Sequence, residues 1–256
     1  MFFKQSAQVL AAFILALSVC TSAQATQITE IDDSIEWEVT SEQDDIGDVS
    51  TWRREVPGAD VKQFRGEVIL EHSALEILLT IDTPDDLVKW VYFCRASKSV
   101  PPNYSYMEYK GVWPVASRYV TVKSDSWIEN GVIYISSRNI DDVGPERKNM
   151  VKLREFHNLF EITPLGKKMT KVRFTTFVDL AGRLPSWLAN AVSSRAPRVT
   201  LAGMRDILDD GERDFDNATV NDLSSVASPE HKLQLAALLQ TIEDLDDSDP
   251  LDPNDD

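Results

Sequence analysis

The chain has 256 residues, 43% of them hydrophobic, and a formal net charge of −16. Residues 26–205 carry only −3, from 26 acidic and 23 basic side chains, whereas residues 206–256 carry −14. The acidity therefore belongs to the C-terminal end, and a near-neutral body without a basic stripe excludes ordinary nucleic-acid binding.

Residues 1–25 read as a targeting segment. Lys4 is the lone charge, residues 9–19 are apolar, and Ala23-Gln24-Ala25 is a small-x-small cleavage site. The apolar run is shorter than the about 20 residues a membrane span needs. Export to the periplasm with cleavage after Ala25 is expected. A retained anchor is one alternative, and a lipoprotein held through Cys20 is another, because Leu17-Ser18-Val19-Cys20 resembles a lipobox. With Cys20 removed, Cys94 is left alone. No internal disulfide is then possible, and the core must hold the fold.

Residues 26–50 are acidic and include an alternating strand at 35–40. Residues 52–58 and 64–70 read as strands around a Pro-Gly turn, and 73–80 as a short helix. Thr83 and Pro84 open a second helix, with Leu87, Val88, Val91 and Tyr92 on its core face and Trp90 and Cys94 widening it. Cys94 there reads as a buried free thiol. After a proline-containing loop at 99–103 come strands at 104–110, 119–123 and 132–137, then at 151–156, 159–163 and 171–178. Short connections favour an antiparallel meander. The segment 124–131 reads as a polar loop with Trp127 and Ile128 at its tip, which either folds back to bury both in the core, the reading slightly favoured, or forms a mobile gate that touches a membrane. A long helix follows from Leu184 to Leu208, bent by Pro197, with Leu184, Leu188, Ala191 and Val192 and then Leu201, Met204 and Leu208 along one stripe. Residues 209–256 read as an acidic tail with one short helix, largely disordered. Strands that feed one terminal helix imply an α+β fold in which the helix lies across the sheet.

Several of these residues, taken in order, resemble the START (StAR-related lipid transfer) domain family. They are Phe64-Arg65-Gly66, Trp90, Glu108, Trp113-Pro114 with Arg118, Arg154, Thr170, Asp179, Gly182 and Pro185 with Trp187. The match spans roughly residues 51–208, so 26–208 is expected to be one lipid-binding domain. Tyr119 stands where the family usually has Asp. The resemblance implies a helix-grip fold, a curved antiparallel β-sheet closed by a long C-terminal α-helix over an apolar cavity. It implies a lipid or sterol-like ligand, lined by Tyr106, Trp113, Phe174, Thr176, Trp187, Leu188 and Val192. Glu108 and Arg118 are then candidates for the polar end, ten residues apart across a hairpin. The alternative for that pair is a partly exposed cross-strand ion pair.

No nucleophile elbow, dinucleotide fingerprint, phosphate loop or zinc-protease motif is present. Residues 206–217 fail as a calcium loop, since Leu208 and Asn217 occupy ligand positions. No cofactor and no metal are expected. The leading reading is a non-catalytic, monomeric lipid binder that contacts membranes transiently. One rival is a helix-grip enzyme, a cyclase or hydrolase of hydrophobic substrates, for which Glu108 and His157 are the available acid/base pair. The other is a lipid-sensing scaffold that engages a basic partner through the acidic tail.

Overall fold

The computed structural model describes residues 35–244, apart from residues 112, 183 and 225–227. The targeting segment, including Cys20, and the stretch 245–256 lie outside the described residues. Three strands open the fold: β1 (Glu38–Ser41), β2 (Ser50–Arg54) and β3 (Gln63–Leu70). Two short helices follow, α1 (Ala74–Ile81) and α2 (Leu87–Trp90). Then come β4 (Cys94–Val100), β5 (Tyr104–Tyr109), β6 (Arg118–Glu129), β7 (Val132–Asn139), β8 (Val151–Lys152), β9 (Glu155–Gly166) and β10 (Met169–Asp179). The chain ends in α3 (Ser186–Ser193), α4 (Ala196–Asp209) and α5 (Pro229–Glu243). The strands form one sheet in the order β1-β2-β3-β10-β9-β7-β6-β5-β4, antiparallel throughout, with two-residue β8 alone joining β6 in parallel.

Period-two alternation sets the faces. Val172, Phe174 and Thr176 of β10 lie opposite Val68, Gly66 and Phe64 of β3 and turn toward α4, forming the inner face. Pro197 ends the helical run as expected: the chain breaks between α3 and α4, and Pro197 enters the first turn of α4. Two glycines let α4 settle closely. A Cβ on Gly66 would lie 2.9 Å from the Pro197 Cβ, and one on Gly203 would lie 2.7 Å from the Trp90 carbonyl oxygen. Ser73 caps α1 reciprocally with Glu76: the Glu76 amide donates to Ser73 Oγ and the Ser73 amide to Glu76 Oε2.

Four expectations are corrected. The helix expected from Thr83 stops at Trp90, Phe93 turns the chain with φ of 55°, and Cys94 begins a strand. Val88, expected in the core, is exposed. The supposed gate loop at 124–131 is a β-hairpin, because Asn130 and Gly131 both have positive φ and form the two-residue turn that Asn-Gly favours. Trp127 stacks on Tyr134 at 5.1 Å on the outer face, while Ile128 packs against the core. Finally, Leu208 does not end the ordered body. The described residues of 209–244 return to the inner face, where Leu223 and Leu235 are buried, His231 Nδ1 meets Ser126 Oγ at 2.6 Å, and Arg213 pairs with Asp86 at 2.5 Å.

Candidate functional site

Between the inner face and the α3–α4 junction lies an apolar cavity in two lobes. The outer lobe, of about 90 Å³, has walls of Val115, Leu153, Phe156, Phe174, Val178 and Val192. It opens beside Lys110 and Ala116, both exposed. The inner lobe, of about 50 Å³, runs on toward Trp90, Met107, Val122 and Phe160. Val91, Tyr109, Phe156, Asn158, Phe174 and Thr200 border both lobes and lie between them. These volumes are small beside the about 300–1,000 Å³ of ordinary ligand pockets. A chain can therefore occupy both lobes only if the aromatic rings between them turn aside.

The polar groups of the walls include Ser105, Ser124 and Ser137 of the inner lobe, the last two joined at 2.7 Å. The hydroxyl of Thr176 donates to Asn158 Oδ1 at 2.6 Å, and Thr200 of α4 accepts from the Tyr92 amide at 3.2 Å. Trp90 Nε1 finds no acceptor among the described residues. Arg118 is the charged group of the wall and is only 4% exposed. Its Nε donates to the Leu180 carbonyl at 3.2 Å and its Nη1 to the Ala116 carbonyl. No carboxylate pairs with it among the described residues, and burial lowers its pKa.

Four of the expected lining residues, Arg118, Phe174, Thr176 and Val192, converge on this cavity. Glu108 and Tyr106 do not. In the β5–β6 ladder Arg118 pairs with Tyr109 and Glu108 with Tyr119, so Glu108 and Arg118 point to opposite faces. On the outer face the Glu108 carboxylate accepts from Arg147 Nε at 2.6 Å, Tyr106 Oη at 3.0 Å and Arg95 Nη2 at 3.1 Å. Burial pushes its pKa up, but these hydrogen bonds outweigh that and hold it below the ordinary value. Tyr119 faces outward too, 6.2 Å from Tyr106 in ring centroids, so its replacement of the family's Asp leaves the cavity untouched. His157 lies on the outer face as well, against Ser136 Oγ at 3.2 Å, and the acid/base pair suggested for an enzyme does not assemble in the cavity. Trp113 and Trp187 are 91% and 69% exposed, and Leu188 lies outside the lining.

The sequence pattern offered no hint of a second concavity, a polar groove of about 620 Å³ between β1–β2 and the α3–α4 junction. Arg53, Lys62, Arg195 and Arg198 line it together with Trp187 and Val199. Glu38 pairs with Arg53 and Glu55 with Lys62. Of the residues missed in the cavity itself, Tyr109 and Phe156 sit on segments read as strands, Leu153 lies between β8 and β9, and Asn158 falls in β9 where the sequence reading left a gap; the inter-strand register singles out the residues on the strands.

No family model matches the chain. An uncharacterized protein of Pseudomonas aeruginosa is 23% identical over 175 residues, which cover 66% of this chain and 85% of that one. A STAR-related lipid transfer protein fragment from Xanthomonas axonopodis is 24% identical with a TM-score of 0.60, covering 68% of this chain and 98% of its own. Human StAR-related lipid transfer protein 5 is 18% identical with a TM-score of 0.58, covering 71% of this chain and 90% of its own. Sheet order, terminal helix and these superpositions agree: the chain has the helix-grip fold of the START-related lipid transfer domains.

Proposed function

We propose that this protein binds a lipid in the cavity beneath α3 and α4 and does so without chemistry. The observation that carries the reading is the apolar wall of Leu153, Phe156, Phe174, Val178 and Val192, opening to solvent beside Lys110. An exposed 16-carbon chain costs on the order of 13 kcal/mol in water at about 0.8 kcal/mol per methylene, and enclosing it removes most of that cost. Export by residues 1–25 would place the carrier in the periplasm.

Exchange with a membrane is the second half of the proposal. Trp113 sits on the β5–β6 connection and Trp187 on α3, the two elements that frame the open end, and both side chains stand out from the surface. Tryptophan favours the headgroup region of a bilayer. The Arg195 and Arg198 side chains of the neighbouring groove have no carboxylate partner among the described residues and add attraction to anionic headgroups.

Native mass spectrometry of the protein purified gently from its own host is expected to show a one-to-one lipid adduct. A bare polypeptide that also fails to take up a fluorescent acyl lipid would defeat the proposal. Replacing Trp113 and Trp187 together by Ala should slow transfer between vesicles by about tenfold, equivalent to about 1.4 kcal/mol, while leaving lipid affinity unchanged.

A further inference from the structure

Arg118 places a positive charge in the wall of the outer, mainly apolar lobe, 4% exposed, with the carbonyls of Ala116 and Leu180 as its only partners among the described residues. Among the described lining residues of the outer lobe there is no Asp or Glu, and the second cation, Lys110, stands at the opening. The nearest candidates for a counter-charge are committed elsewhere. Glu108 lies on the outer face between Arg95 and Arg147, and Asp179 pairs with Arg154 at 2.9 Å. Carbonyl oxygens satisfy hydrogen bonds but bring no negative charge, so the guanidinium is left without an ion to balance it. The shape of the site is as restrictive as its charge. Two lobes of about 90 and 50 Å³, joined past Tyr109, Phe156 and Phe174, suit a single methylene chain better than a fused-ring body.

Building on the lipid-binding reading, we infer that the cavity selects a single-chain lipid with an anionic head, its carboxylate or phosphate on Arg118 and its tail in the inner lobe. A guanidinium recognises either anion through paired N–H donors, and the contact gains strength where water is excluded. A neutral head of the same length would leave the arginine unbalanced and forfeit the discrimination.

The test uses the full-length wild-type protein and four probes: palmitate, palmityl alcohol, a single-chain phosphate monoester and a single-chain phosphocholine. Palmitate or the phosphate monoester is expected to bind at least about tenfold more tightly than the alcohol, about 1.4 kcal/mol. Whichever of the two binds more tightly identifies the head. In Arg118→Gln the acid-to-alcohol ratio should collapse toward one, and Arg118→Lys should restore part of it. A purely structural arginine, clasping Ala116 to Leu180, would change stability and leave that ratio alone. If Arg118→Gln does not fold, the wild-type ratio decides. Equal affinity for acid and alcohol overturns the charge selection and leaves lipid binding standing, whereas no binding of any probe overturns both.

Discussion

Gly66 and Gly203 show how much of the architecture rests on missing side chains. Adding a Cβ at Gly66 forces it against Pro197 and Leu201 of α4, and at Gly203 against the backbone of Trp90. Each Gly→Ala change is expected to cost about 1–3 kcal/mol, read as a lower denaturant midpoint with unchanged slope, with Gly203 the worse because a backbone carbonyl cannot rotate away. His157 yields a second residue-level expectation. Burial, helped by the positive charge of Arg138, lowers its pKa from 6.5 to about 4. Between those values the unfolded chain binds more protons, so the contribution is complete above pH 6.5 and drains away as pH falls toward 4, by up to about 3 kcal/mol. Thermal melts from pH 7.5 to 4.5 should therefore fall less steeply for His157→Gln than for the wild type. Residue scale is also where sequence reasoning was weakest. Glu108 and Arg118 were rightly placed on neighbouring strands, but their shared face depended on the register across the turn, and a one-residue difference reverses it.

Elements with strong periodicity were legible. The alternation of β10, the run into α4 and the break at Pro197 all follow from local sequence. Two misreadings have physical causes. The β4 segment Cys-Arg-Ala-Ser-Lys-Ser-Val is largely exposed, so its side chains carry no period-two signal. In β6 the distal half alternates between exposed and half-buried positions and looked like a loop, although Asn130-Gly131 marked the hairpin. The segment after α4 misled through its charge. Its apolar residues are sparse but well placed, with Leu223 and Leu235 each only 1% exposed. Fully burying a leucine contributes about 1.5–3 kcal/mol. Truncation after residue 208 is therefore expected to lower the melting temperature sharply, rather than release a dispensable tail. A truncated protein that melts like the full chain would show α5 to be an accessory.

Across the whole molecule, net charge proved a poor guide to local surface. A body of nearly balanced composition still gathers Arg53, Lys62, Arg195 and Arg198 around one groove, because distant segments of the chain meet there. The cavity likewise collects residues from five strands (β5, β6, β7, β9 and β10) and both helices of the α3–α4 junction, which no linear pattern displays. The strand order carries one more implication. Among the described residues the sheet ends in β1 and β4, leaving two rims whose outward backbone amides and carbonyls pair with no further strand and could recruit one from a neighbouring molecule. At one rim β1 is only four residues long and its register slips between Val39 and Ser41. At the other, Lys98 and Arg95, the latter also bonded to Glu108, place cationic side chains along β4, which disfavours two copies meeting there. Replacing both by Thr should raise self-association as concentration rises, visible by light scattering. Two cationic side chains thus oppose the stacking of further copies onto that end of the sheet.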